Sequence, residues 1–140
     1  MVDSLRRRPW KPPPDPLPDG RDRRIPRGPL YDLATVQQLA ADGERIHYAT
    51  QKCAQNVEDL EWDVDDIARL IAALKGQDYR NSEWCMGNGR TVMDADAYTV
   101  HYDHVEACRG DQRHPQYYLK FGFRSSDPCL IVWVVSCHLS

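Results

Sequence analysis

The spacing of hydrophobic residues in the first half of the chain predicts helices. In residues 29–43 leucine and valine recur at three-residue steps, with a proline at the start and a glycine at the end, as is typical of helix termini. A clearer helix follows Asp63, because the aliphatic side chains of residues 64–76 repeat at positions i, i+3, i+4 and i+7 and would form one buried stripe. Between these two helices we predict an extended segment at residues 45–47 and a short helix that begins at Thr50.

After the second of these helices hydrophobic and polar residues alternate, which predicts strands. Residues 78–86 and 90–102 are predicted to form two strands joined by a tight turn, and residues 116–124 and 129–137 to form two more. The last strand is apolar on both faces, so we predict that it is central in the sheet. The predicted fold class is α+β, with two or three N-terminal helices packed on an antiparallel sheet of about four strands.

Charge is unevenly distributed along the 140-residue chain, whose formal net charge is -3. Residues 1–28 hold eight of the 18 basic residues, four of the 21 acidic residues and most of the prolines. This composition predicts a disordered Pro/Arg-rich tail, followed by a single α+β domain at residues 29–140. An alternative is that the arginines of the tail hold RNA or a protein partner. The rest of the chain is acidic, so any nucleic-acid site must be local.

The cysteine content and the hydrophobic profile indicate the compartment. The five cysteines include no C-x-x-C pair, which argues against a disulfide framework and a zinc ribbon. No apolar window is long enough for a membrane span and no secretory signal is present, so we expect a reduced, cytoplasmic protein. Side chains that can bind metals cluster at His101, Asp103, His104, Glu106 and Cys108, but their spacing matches no closed zinc module. We predict no metal and no cofactor.

The strand at residues 116–124 has one polar side that invites a chemical interpretation. Its apolar residues fall on one face, and Tyr118, Lys120 and Arg124 fall on the other. A phenol, an amine and a guanidinium all donate to phosphate oxygens, although the same pattern is typical of any exposed polar sheet face. Asp94 and Asp96 also share one face of their strand. Such a pair is compatible with a general acid and base, but a solvent-exposed face or a partner contact is the more common role, and we interpret them in this way.

Several segments, in order, match the pattern of a known toxin family. They include "LEWDVDDIARLIAALKGQDYRNS" at residues 60–82, "DAY" at 96–98, "YLKF" at 118–121 and "LIV" at 130–132. Over residues 25–135 the chain resembles the motility quorum-sensing regulator (MqsR) family of bacterial type II toxins. The resemblance implies a RelE-like fold and a metal-independent endoribonuclease (mRNA interferase) that acts on mRNA. It also implies a cognate antitoxin, expected to be a DNA-binding helix-turn-helix protein.

The resemblance carries over to the candidate site only in part. It places the catalytic tyrosine of the family at Tyr118 and a lysine two residues later at Lys120. This sequence departs from the family pattern at three other positions, where Asn81 replaces a lysine, Ala95 replaces a glutamine and Val135 stands near the place of a further lysine.

Two hypotheses follow from this partial match. In the first, the site is rebuilt from neighbouring side chains and the protein is a ribonuclease toxin. Its candidate catalytic residues are Tyr118, Lys120, Arg80 and His138, and its candidate RNA-binding residues are Asn81, Tyr98 and Arg124. In the second, the chain is a non-catalytic protein-binding module on the same fold, and the altered positions mark the loss of the reaction.

Overall fold

A computed structural model describes residues 5–124, 127 and 130–140 of the chain. It contains three α-helices, each of which begins at a side chain that accepts a backbone N–H of the first turn. The predicted start of the last strand at Cys129 lies outside the described residues. The helices are α1 (Leu33–Leu39), α2 (Gln51–Asp59) and α3 (Val64–Ala73), with Asp32, Thr50 and Asp63 as their respective N-caps.

The helix predictions are confirmed in position, and one is wrong in length. Thr50 accepts a hydrogen bond from the Cys53 amide, and Asp63 forms a reciprocal capping box with Asp66. Helix α1 is much shorter than the predicted segment at residues 29–43. The preceding backbone amides donate to a carboxylate of the sheet rather than entering a helical turn, as described below.

Seven strands form one mixed sheet. In the order β1-β3-β4-β6-β7-β2 each strand pairs with its neighbours, and β5 pairs with β4 outside this order. All pairs are antiparallel except β2 and β7, which are parallel. The strands are β1 (Arg24–Ile25), β2 (Ile46–Tyr48), β3 (Tyr79–Met86), β4 (Val92–Asp103), β5 (Cys108–Arg109), β6 (Gln116–Phe123) and β7 (Val132–Leu139).

The predicted antiparallel sheet of about four strands is wrong in both strand number and strand direction, although the chain is α+β overall. The four long strands are those expected, and the extended segment predicted at residues 45–47 is strand β2 (Ile46–Tyr48), but its place in the sheet and the two-residue strands β1 and β5 were not predicted. A strand of two residues carries no detectable period, so periodicity could not reveal β1 or β5. Strand β2 pairs with the outer side of β7. The last strand therefore has a neighbour on each side, but it lies next to the edge strand rather than in the middle of the sheet. The parallel β2–β7 pair makes the sheet mixed.

The sheet is curled, and its two faces differ. The backbone amide of Asn88, in the β3–β4 turn, donates to the carbonyl of Ala49 just after β2 at 2.7 Å. In a flat sheet β4 and β2 would lie about 14 Å apart, at about 4.8 Å for each strand step. The contact therefore requires strong coiling. The three helices pack on one side, and we call the other side the concave face.

Two buried carboxylates of β4 hold the N-terminal segment on the helix side of the sheet. The Asp96 carboxylate accepts the backbone amides of Leu30 and Tyr31 at 2.9–3.0 Å and the Ser82 hydroxyl at 2.6 Å. The Asp94 carboxylate accepts both terminal nitrogens of Arg6, at 2.7 and 3.1 Å, and the Tyr31 hydroxyl. The interpretation of these two aspartates as solvent-exposed is wrong, because they are 6% and 0% exposed.

The segment predicted as a disordered tail is packed against the domain from residue 5 onward. Leu5 is fully buried in the core, its carbonyl accepts the backbone amide of Asp32, and the Arg7 amide donates to the carbonyl of Leu30. Strand β1 covers the outer edge of β3. The composition correctly indicates that this segment cannot fold alone. It folds because β4 supplies the buried acceptors that its own sequence lacks.

We expect Arg6→Ala to lower the free energy of unfolding by about 3–5 kcal/mol, because it leaves the Asp94 carboxylate buried without its cation. Urea unfolding followed by circular dichroism measures the change. Arg113→Ala is the matched control, since its ion pair with Asp111 is on the surface, with the arginine side chain 86% exposed. Equal unfolding midpoints for the two variants would contradict the anchoring role of Arg6.

Candidate functional site

The concave face has a floor of small side chains in its middle. Ala95, Ala97 and Thr99 follow one another along this face of β4, and the two alanines are fully buried. In register, Ala97 lies between Asn81 of β3 and Lys120 of β6. Because the side chains of this floor are short, longer side chains from β3 and β6 extend above them and contact each other across β4.

Tyr118 and His138 stand side by side at one end of this floor. They are paired residues of β6 and β7, and their rings stack with centroids 5.3 Å apart and an interplanar angle of 21°. His138 Nδ1 lies 2.8 Å from the carbonyl oxygen of Leu139, which fixes the proton on Nδ1 in the neutral ring. Nε2 is then the acceptor, as a general base requires.

Lys120 is held across the floor by a carboxylate that the sequence did not indicate. Its Nζ lies 2.5 Å from Glu83 Oε1 and 5.9 Å from the centroid of the Tyr118 ring. Glu83 also lies 3.7 Å from the exposed guanidinium of Arg24. One carboxylate is thus shared by two cations, and the three charges together remain positive.

Both candidate donors stay protonated at neutral pH. Burial raises the pKa of the Tyr118 phenol above its usual 10.0, although the nearby Lys120 opposes the shift. Burial lowers the pKa of Lys120, but its neighbours, chiefly Cys85 and the hydrogen-bonded Glu83, raise it by more, so that the net shift is above the usual 10.5. Tyr118 is therefore a proton donor and Lys120 a fixed positive charge.

Asn81 and Arg124, two of the remaining predicted residues, extend the site. Asn81 lies in line with Lys120 across the floor, and its Oδ1 is buried without a hydrogen-bond partner in the described part of the chain. Arg124 lies at the end of β6, where its guanidinium carbon is 3.7 Å from the centre of the Trp133 ring. The Trp133 indole is itself fixed by a 2.7 Å hydrogen bond to Asp127.

Arg80 and Tyr98 do not join the site. Arg80 sits at a bulge between β3 and β4, exposed, with its guanidinium 3.3 Å from the Tyr79 carbonyl. Tyr98 is on the opposite, helix-covered side of the sheet, where it is 1% exposed and stacks on Phe121 at 5.7 Å. The prediction that Tyr98 contacts RNA on the same surface as Tyr118 is therefore wrong, because Tyr98 pairs with Leu119 rather than with Tyr118.

The residues missed from the sequence are Glu83 and Trp133. Glu83 lies two residues after Asn81 on β3, so the period of two places both side chains on the same face. The contact between Glu83 and Lys120, however, depends on the register of β3 and β6 with β4. Trp133 belongs to an apolar run in the sequence, which does not predict its side. In the structure it lies on the concave face beside Val135. A pattern within one strand contains no such register information.

The buried cysteines are unsuited to nucleophilic chemistry. Burial raises the pKa of Cys53 and Cys137 to about 12 and that of Cys85 to about 11, the last despite the opposing Lys120. Such thiols are poor nucleophiles. Within residues 5–124, 127 and 130–140, no three histidine, cysteine or acidic side chains are grouped as a metal site would require.

The comparisons with known proteins leave the family unassigned. No protein-family model matches the chain, and none of the curated proteins searched is significantly similar to it. In the described part of the chain, every helix is too short or too polar to cross a lipid bilayer.

We expect iodoacetamide to alkylate Cys108 in the native protein while Cys53, Cys85 and Cys137 stay unmodified. Cys108 is exposed and the other three thiols are buried with raised pKa values. Peptide mass spectrometry after a short reaction at neutral pH measures this. The urea-unfolded protein is the control, in which all four should react, and native labelling of Cys85 as fast as Cys108 would contradict the structure.

Proposed function

We propose that the protein is the toxin of a type II toxin-antitoxin system, a cytoplasmic, metal-independent mRNA endoribonuclease that a cognate antitoxin neutralises. The single observation that supports this most is the row of His138, Tyr118 and Lys120 on the concave face. It combines a proton acceptor, a proton donor and a fixed cation. The resemblance to the MqsR family in the segments around Tyr118 and Lys120 supports the same proposal.

The proposed reaction is transfer of the phosphate to the neighbouring 2′-hydroxyl of RNA. His138 Nε2 takes the proton from the 2′-hydroxyl while its oxygen bonds to phosphorus. The bond from phosphorus to the 5′-oxygen breaks, and the Tyr118 phenol gives that oxygen its proton. Lys120 stabilises the extra negative charge on the phosphate oxygens. The products are a 2′,3′-cyclic phosphate and a 5′-hydroxyl, and no metal is needed.

The negative charge of Glu83 must be neutralised by neighbouring cations if a phosphate is to bind beside Lys120. An unpaired carboxylate would repel the phosphate, but Glu83 is bonded to Lys120 and lies near Arg24, and Arg124 adds a further cation on this face. The local charge therefore remains positive although residues 29–140 carry more acidic than basic residues, which attracts RNA to this face.

The alternative is a protein-binding module without catalysis. It is favoured by the same ion pair, because Lys120 already has a partner in Glu83 at 2.5 Å. Ala95, which takes the place of the family's glutamine, is fully buried and contributes no polar group. This hypothesis predicts a tight complex with a partner protein and no RNA cleavage at any enzyme concentration.

We expect Tyr118→Phe and His138→Gln each to slow cleavage of a defined mRNA in vitro by about 10²–10⁴-fold, the typical contribution of a general acid or base. The wild type should leave 2′,3′-cyclic phosphate ends, and excess EDTA should not change its rate. Gel analysis of end-labelled RNA measures both.

Matched controls are Tyr48→Phe, on β2, and His104→Gln, an exposed residue stacked on Trp62; neither should alter the rate. Expression of the wild type should also arrest growth, and Tyr118→Phe should relieve the arrest. Soluble wild-type protein that neither cleaves RNA nor affects growth would overturn the proposal in favour of the binding module.

We also expect the cleavage rate not to fall up to about pH 9. Tyr118 and Lys120 act in their protonated forms, and both have pKa values raised above 10.0 and 10.5, so deprotonation begins only at higher pH. The rate profile, corrected for spontaneous alkaline hydrolysis of the RNA, tests this. A fall between about pH 7 and 9 that disappears in Tyr118→Phe would show that the phenol has a lowered pKa instead.

A further inference from the structure

A second candidate binding site lies between the N-terminal segment and the β1–β3 edge of the sheet. It is a pocket of about 540 Å³, within the range of pockets that hold small ligands. Ile25, Leu30 and the half-buried indole of Trp84 contribute its apolar wall, and prolines of the N-terminal segment form much of its rim. Only the packing of this segment against the sheet creates it.

The pocket is strongly cationic. Five basic residues line it, and Asp94 is the only carboxylate among the described residues that do so. Asp94 is already neutralised by Arg6. Within the part of the chain that the structure describes, Arg8, Lys11 and Arg27 form no ion pair, in a protein whose net charge is negative. Clustered cations without a carboxylate partner repel one another, and an anionic ligand would relieve that repulsion.

One of these cations is held in an unusual backbone conformation. Arg27 has a φ of 65°, a region that non-glycine residues rarely adopt and that concentrates at binding sites. The next residue, Gly28, passes so close to the Tyr79 hydroxyl and Ser82 Oγ that any side chain there would overlap them. Strand β1 pairs with β3 just before Arg27 and Gly28 packs against β3 just after it, so the backbone at Arg27 is held in place on the rim.

The arginines and the indole that line the pocket favour one class of anion over others. Arginine forks bind phosphate through paired hydrogen bonds, and an indole stacks on the flat face of a nucleobase. The carboxylate side chains of an acidic peptide would use the cations but offer no ring to stack on Trp84. The combination of three unpaired cations and an aromatic wall therefore fits a phosphate joined to a flat ring.

We propose that this pocket binds a nucleotide unit, with its phosphate at Arg8 and Arg27 and its base against Trp84. The unit can be a free nucleotide or one residue of a single-stranded RNA. Arg24 lines the pocket and also lies 3.7 Å from Glu83, the partner of Lys120, so a strand in the pocket can continue toward the concave face. Only the RNA source rests on the proposed function.

The two sources are distinguished by two titrations of the full-length protein. Calorimetry with AMP, and separately with inorganic phosphate, measures the free-nucleotide arm. Fluorescence anisotropy of a labelled single-stranded oligonucleotide with 2′-O-methyl sugars measures the RNA arm, because this strand lacks the nucleophile and cannot be cleaved. Poly-glutamate is the competitor that represents an acidic protein segment.

The test variant is Arg8→Gln/Arg27→Gln, and the matched control is Arg21→Gln/Arg90→Gln. Both remove two positive charges, Arg90 shares the left-handed backbone of Arg27 with a φ of 60°, and neither control residue lines the pocket. We expect the test variant alone to weaken binding at least about tenfold and to reduce the salt slope of RNA binding by about 0.7, the value for the one phosphate contact that is lost. AMP should bind at least about fivefold more tightly than phosphate, because the base adds stacking.

Equal binding of AMP or RNA by the test and control variants overturns the proposal, as does wild-type protein that binds neither ligand. AMP and phosphate of equal affinity, or poly-glutamate that displaces the oligonucleotide better than AMP, also overturns it. AMP binding without RNA binding supports the pocket with a free nucleotide as its ligand. None of these ligands is cleaved, so the binding assays do not depend on catalysis, and a failure of the catalytic proposal is distinguishable from a failure of this one.

Discussion

The structure depends on two neighbouring aspartates of one central strand. Asp94 and Asp96 are buried on the helix side of β4, where each would be strongly destabilising without partners. Arg6, the Tyr31 hydroxyl and the backbone amides at Leu30 and Tyr31 supply those partners. A segment rich in proline and arginine, with little apolar surface of its own, thereby becomes part of the domain. The edge protection of β3 by β1 and the cationic pocket both follow from this anchoring.

The concave face depends on a different constraint, the small side chains of β4. Because Ala95 and Ala97 leave room above them, Lys120 can cross from β6 to Glu83 on β3. The curl of the sheet brings these strands over one floor and shelters the pair, whose side chains are 13% and 20% exposed. A larger residue at either alanine would separate the cation from its carboxylate and fill the space in which a phosphate is proposed to lie.

Features of this fold that are encoded within a few residues can be predicted from the sequence. Features that depend on the pairing register between distant strands cannot. The N-caps at Thr50 and Asp63 and the apolar stripe of α3 are encoded within a few residues, and they were predicted. The face shared by Tyr118 and Lys120 follows from a period of two within one strand. The position of Tyr98 on the opposite side from Tyr118 does not, because the pairing register of β4 with β6 decides it. The burial of Asp96 was hidden for the same reason, since its donors lie 65 and 66 residues away.

The anchoring of the N-terminal segment has a consequence for the order of events during synthesis. Residues near Arg6 leave the ribosome before their binding partner Asp94, which follows 88 residues later. Until β4 has emerged and paired, the proline-rich segment has no buried acceptor to hold it and must remain solvated. This segment is made before β4 but is among the last parts of the domain to become ordered, and the pocket it forms exists only in the completed domain.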